Sequence, residues 1–253
     1  MFATAAALHD IEKRYKTFTL GPLTLTIPAG SIVGLVGENG AGKTTTLKLL
    51  TGVIRPSAGR AELLGGNPAD PATRARIGVV FEDAYFYENL TAAQVGRSMA
   101  GIFGARWQPE AFAGYLTRFG LDPRQKIKEY SRGMRMKLSL ATALAHAPEL
   151  LVLDEPTSGL DPVVRGEILD LFLDFIQDET RSILMSSHIT ADLEQVADSI
   201  AYLHKGRLLF QEDKDELLAE YGLLRCAQAD LAKLPDGAAI HTERRAFGRE
   251  TLV

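Results

Sequence analysis

The chain of 253 residues is long enough for one large α/β domain or a domain with a small insert, and 46% hydrophobic with 24% charged residues is the balance of a soluble globular protein. A net charge of −4 argues against a dedicated nucleic-acid binder, and the single cysteine, Cys226, excludes an internal disulfide framework and fits a reducing, cytosolic setting. MFATAAALHD has no basic stretch ahead of its apolar run, so no secretory signal is expected, and no apolar run reaches the roughly 18 residues of a membrane span. Any membrane role must come through a partner.

Taken in chain order, residues Ala6 to Pro28 alternate short apolar runs with turn residues, which predicts small antiparallel strands. SIVGLV, from Ser31, reads as a buried strand and runs directly into GENGAGKTTTLKLL. The spacing of Gly37, Gly42, Lys43 and Thr44 is that of a phosphate cradle between a strand and a helix. Glycines let backbone N–H groups fold around phosphate oxygens, and the helix N-terminus adds partial positive charge. Lys43 is then expected to reach the β- and γ-phosphates, and the Thr44 hydroxyl to hold Mg²⁺. The pattern predicts a nucleoside triphosphate as ligand.

IGVVF, from Ile77, reads as another strand. Between Thr91 and Ala147 the strand runs vanish and helical spacing takes over, as in AAFAGYLTRFG and MRMKLSLATALAHAP, until Pro148 stops the last helix. The strand LLVLDE follows and ends in two carboxylates. Asp154 at its end suits Mg²⁺ coordination opposite Thr44. Side-chain alternation along a strand sends Glu155 the other way, where it can orient or deprotonate an attacking water. Beyond lie a predicted helix from about Pro162 to Ile176, the strand SILMSS with His188 just past it, a helix from Ala191 to about Ala197, and a hairpin, AYLHKGRLLF, turning at Lys205–Gly206. A helix and a less regular tail follow Asp213.

YSRGMRMKLSLATALAHAPELLVLDEPTSGLDP is more specific than either phosphate motif. It resembles the ATP-binding subunit of ABC transporters, whose signature reads LSGGQ or, in many exporters, YSGGM. Here the signature is Tyr130, Ser131, Arg132, Gly133 and Met134, and the resemblance runs from about Ala6 to Phe210. The resemblance implies a RecA-like P-loop NTPase core with a small antiparallel β-subdomain and an inserted α-helical subdomain at about 88–148. The cassette would occupy 1–212, leaving a C-terminal helix and tail at 213–253.

For the site, the resemblance implies ATP and Mg²⁺ as cofactors. ATP would be held by Tyr15 stacking on adenine and by the loop residues Gly37, Glu38, Asn39, Gly40, Ala41, Gly42, Lys43, Thr44 and Thr45. Glu155, His188 and Lys43 would be catalytic, and Thr44, Asp154 and Glu82 would serve the metal. Ser131 is a good N-cap for a helix that starts near Arg132 and offers its N-terminus to an anion. In the family that anion is the γ-phosphate of ATP held by a second copy, so Ser131, Arg132, Gly133 and Met134 would contact the partner's nucleotide. The turn Ser158, Gly159, Leu160 and Asp161 would reach across the interface of a homodimer or heterodimer.

Two positions depart from the family pattern. Glu82 stands where members carry a glutamine that senses Mg²⁺; it is expected to keep that role although it meets like charge near a triphosphate. Arg132 replaces a glycine, either adding positive charge towards the partner's nucleotide or lying on the surface. The segment from Glu82 to Leu90, with Tyr85, Phe86 and Tyr87, is where the resemblance docks an integral membrane permease. The implied protein is an exporter's ATPase, peripheral on the cytoplasmic face of the membrane. The alternative is a soluble or regulatory ATPase of the same type, uncoupled to transport. A single cassette and a short helical insert count against two-cassette ribosomal and coiled-coil chromosomal ATPases, and neither implies a nucleic-acid partner.

Overall fold

Strand β3 (Ile32–Val36) is buried on both faces because its run of Val, Leu and Ile has no polar alternation, as a central parallel strand requires. In the computed structural model, which describes residues 4–82, 86–220, 223–226, 241–245 and 248–252, β3 lies inside a six-stranded sheet. Its neighbours are β7 (Ser182–Ser187) and β8 (Ser199–His204), both parallel to it. Outside β7 come β6 (Leu150–Asp154) and β5 (Ile77–Val80), also parallel, and β9 (Arg207–Asp213) follows β8 at the other edge.

Strand alternation divides the core between the two faces of this sheet. Leu151, Leu153, Ile183 and Met185 pack with the cluster that includes the helices α5 (Arg132–Leu144) and α6 (Pro162–Ile176). Their neighbours Leu150, Val152 and Leu184 pack on the opposite side with α1 (Lys43–Leu50). That second cluster also holds a three-stranded antiparallel sheet, ordered β2 (Thr19–Pro28), β1 (Thr4–Arg14), β4 (Ala58–Leu63). The first two strands match the sequence reading; β4, AGRAEL, has mostly exposed positions and no apolar alternation to announce it.

After β5, α3 (Ala92–Phe103), α4 (Pro109–Arg118) and α5 form the helical segment. Thr91 and Gln94 close a capping box on α3, and proline at the first turn of α4 needs no N–H partner. The fold is that of an α/β P-loop NTPase with an added antiparallel sheet and helical segment. Between β6 and β9 lie α6 and α7 (Thr190–Val196), one residue longer at its start than the spacing predicts. No helix among the described residues is long and apolar enough to cross a membrane.

The chain divides into two units, Met1–Gln211 and Glu212–Val253. The second contains α8 (Lys214–Glu220) and a three-stranded antiparallel sheet, β10 (Leu223–Cys226), β12 (Gly248–Leu252), β11 (His241–Arg245), in that spatial order. The sequence reading leaves this sheet as an irregular tail, because its strands are short and mix charge with few apolar residues.

Candidate nucleotide-binding site

The loop from β3 to α1 is shaped by close approaches. A Cβ on Gly37 would stand 2.3 Å from the Leu203 carbonyl oxygen, and Gly42 has φ +112, so neither position accepts a side chain without strain. Gly42 is the N-cap of α1 and supplies no side-chain acceptor, which leaves the first N–H groups of the helix for an anion. Glu38, Asn39, Gly40 and Gly42 line a cleft of about 440 Å³ together with Lys43, Thr44 and Thr45. Ala41 is buried behind them, its carbonyl accepting from Gly206 N at 2.9 Å.

Lys43 is buried, and its Nζ donates to the Gly37 carbonyl at 2.7 Å and pairs with Glu155 Oε1 at 3.1 Å. Both charges are almost out of water, so each depends on the other for neutralisation. The Thr44 hydroxyl donates to Asp154 Oδ2 at 2.7 Å, and the Ser186 hydroxyl donates to Asp154 Oδ1 at 2.6 Å. The hydroxyl and carboxylate read from the sequence as Mg²⁺ ligands thus converge, and hard oxygen donors of this kind fit the ion.

Glu155 lies one residue past the end of β6 with φ +51, a left-handed conformation that costs a non-glycine residue energy. Its direction is therefore set by a turn and not by strand alternation, which corrects the reason offered from sequence. The turn is held by the Glu155 N–H, which donates to Ser186 Oγ at 3.1 Å and to the Ser186 carbonyl at 3.2 Å. Glu155 Oε2 accepts from His188 Nδ1 at 2.7 Å and from the His188 N–H at 3.3 Å. Lys43, Glu155 and His188 form one linked array.

Other residues took part unannounced. Ser186 braces the Asp154 carboxylate and the Glu155 backbone, and Asp192, 1% exposed, accepts from Thr157 Oγ1 at 2.5 Å and from the Arg165 guanidinium. This ties the turn after Glu155 to α6 and α7; the pairs are too far apart in sequence for spacing to reveal them. Phe18 lines the phosphate cleft, whereas Tyr15, 47% exposed, is not among the residues lining it and stacks near Lys13.

The signature sits elsewhere. Ser131 caps α5, its Oγ accepting from Met134 N at 3.2 Å. Gly133 and Met134 lie in the first turn of that helix. Arg132, its side chain 57% exposed, lies on the surface and pairs with Glu82 at 3.4 Å. In the turn Ser158, Gly159, Leu160, Asp161, the last residue caps α6 by accepting from Val163 N and Val164 N. Of the predicted aromatic patch, Phe86 is half-buried against the helical core and Tyr87 is 84% exposed, while Tyr85 lies outside the described residues.

The profile of the ABC transporter family matches residues 20–158, more than half of the chain. The chain belongs to the ABC transporter family. It is similar to an uncharacterized ABC transporter ATP-binding protein of Synechocystis, 39% identical over 230 residues, covering 85% of this chain and 65% of that one. The cassette is also similar to the bacitracin transport ATP-binding protein of Bacillus licheniformis, 37% identical over 220 residues, 85% of this chain and 72% of that one. A solved ATP-binding subunit of an ABC transporter superposes with a TM-score of 0.76 at 28% identity, covering 86% of this chain and 93% of that one. The fold and family are those of ATP-hydrolysing cassettes.

Proposed function

We propose that the cassette is the ATP-hydrolysing subunit of an exporter, working as a dimer around two ATP and peripheral to the membrane through a separate permease. The observation that carries this reading is that Lys43, Thr44 and Glu155 line one cleft, where Lys43 pairs with Glu155, Thr44 bonds to Asp154 and Glu155 to His188, with the signature outside it. None of Ser131 to Met134 lines the cleft, which supports a reading in which the signature of a second copy completes it.

Triphosphate oxygens would compete for the ammonium of Lys43, now shared between Gly37 and Glu155. Drawing it away leaves the Glu155 carboxylate free to accept a proton from water as the water oxygen bonds the γ-phosphorus and the bond to the β–γ bridging oxygen breaks. His188 holds Glu155 through Nδ1–H and its own backbone N–H. Thr44 and Asp154, with Glu82 at the cleft's edge, would hold Mg²⁺, which supplies charge neutralisation for the transferring phosphoryl group.

For the permease, the segment Glu82–Leu90 offers the exposed Tyr87 and a neighbouring cleft of about 380 Å³ lined by Phe81, Phe86, Met99 and Phe103. Apolar surface of this kind suits a protein interface. Glu155→Gln should bind ATP, accumulate as a dimer and lose turnover; turnover near wild type would remove Glu155 as general base. Purification from detergent-solubilised membranes should recover a polytopic protein in stoichiometric yield. A chain recovered without one would instead support a soluble or regulatory ATPase.

A further inference from the structure

The two positions that depart from the family pattern meet in space. Glu82 and Arg132 are 50 residues apart, yet Arg132 Nη2 lies 3.4 Å from Glu82 Oε1. We propose that they are a compensating pair: Arg132 cancels the charge that a carboxylate at residue 82 brings to the phosphate cleft, and so sets the affinity for Mg-ATP. The proposal rests on the cleft being the nucleotide site.

Glu82 lines the cleft with Glu38 and Glu155, so one cation, Lys43, faces three carboxylates there. That balance opposes a triphosphate. Arg132 restores one positive charge at the edge of the cleft. Its location has no local explanation, since it occupies the first position of α5, where the helix dipole disfavours a cation, and the first turn carries no acid to offset it. Its partner therefore has to come from elsewhere, and Glu82 is that partner.

The guanidinium is also held in place from the other side. A Cβ on Gly159 would lie 2.7 Å from Arg132 Nη1 and 2.9 Å from Cζ, so the side chain reaches Glu82 by lying over a glycine. One residue of the signature thus touches both the cleft-edge segment and the turn after Glu155. A second ion pair, Arg135 to Glu88 at 3.6 Å, joins the same helix turn to the same segment. Glu88 is not among the residues lining the cleft, which makes Arg135 a control for simple fastening. Arg132 acts through Glu82 and is a positioning residue.

The test is titration of the purified full chain with Mg-AMPPNP at low ionic strength. Wild type, Arg132→Gln, Glu82→Gln, the double variant and Arg135→Gln are compared. Arg132→Gln should weaken affinity about two- to fivefold, the range of a half-exposed pair, and added salt should shrink the difference. The double variant should lose less affinity than the two single losses combined, because removing the carboxylate removes the need for the cation. Arg135→Gln should bind as wild type does. Additive losses in the double variant, wild-type affinity in Arg132→Gln, or an equal loss in Arg135→Gln would each overturn the pairing. Failure of the wild-type chain to bind Mg-AMPPNP would instead overturn the nucleotide site itself.

Discussion

The phosphate-loop end and the signature end of this cassette are built on different principles. At the first, Lys43 and Glu155 have side chains only 7% and 9% exposed, and Ser186 fixes the Asp154 carboxylate and the Glu155 backbone beside them. At the second, Arg132 and Glu82 have side chains 57% and 48% exposed and meet across two segments that no strand joins. Low dielectric makes the buried array strong and unforgiving, whereas solvent makes the exposed pair weak and exchangeable. A site that must keep its geometry through many turnovers suits the first construction. A surface that must meet and leave a partner suits the second.

The largest expected effect breaks the buried end. Lys43→Ala strands Glu155 as an uncompensated buried carboxylate, so unfolding in urea should show a loss of about 3–5 kcal/mol, and nucleotide titration a loss of binding. A loss below about 1 kcal/mol would mean that water already screens the pair and would dissolve the contrast.

An intermediate effect sharpens the boundary between the two ends. Asp192→Ala leaves Thr157 without its acceptor and Arg165 without its partner, at a cost of about 2–3 kcal/mol in denaturant unfolding. Because the network holds the turn after Glu155 and not the phosphate loop, kcat should fall by about tenfold while nucleotide affinity changes by less than about threefold. Equal losses in both would place the network at the phosphate loop as well.

The smallest effect concerns the helical side. His146 stacks on Phe103 with ring centroids 3.9 Å apart, and its Nε2 meets the Ile77 carbonyl at 3.0 Å. Burial pushes its pKa below the ordinary histidine value, ahead of the opposing effect of that backbone bond. The fold therefore prefers the neutral ring, and stability present above about pH 6.5 should decline as pH falls through the depressed value. His146→Phe should melt lower at neutral pH for want of the bond to Ile77, yet show a flatter decline between about pH 6.5 and 5. An unchanged slope would assign the acid sensitivity in that range to groups other than His146; Glu149, whose carboxyl the Arg76 guanidinium holds below its usual range, acts only at lower pH.

Legibility followed the range of the interactions. The helix from about Pro162 to Ile176 could be read because its signals are local, proline at the first position and then an apolar period, and the structure adds Asp161 as its cap. The strand SILMSS and the phosphate loop were equally plain. Strand β4 was not, since its residues are mostly exposed and pairing with β1 alone defines it. Phe18, which lines the cleft, carried no signal in the sequence, because its place there follows from how the first two strands pair.

Local patterns carried the expected chemistry: a glycine loop with its lysine and threonine, two carboxylates at a strand end, a histidine after another strand, and a capped signature helix. Each depends on neighbours within a few residues, where backbone geometry dictates the outcome. Which of these charges meet is a matter of packing. That Lys43 neutralises Glu155, that Ser186 braces Asp154, and that Arg132 crosses 50 residues to Glu82 follow from the order in which strands and helices pack. Coulomb and hydrogen-bond energies depend on distance in space, and sequence separation does not report it.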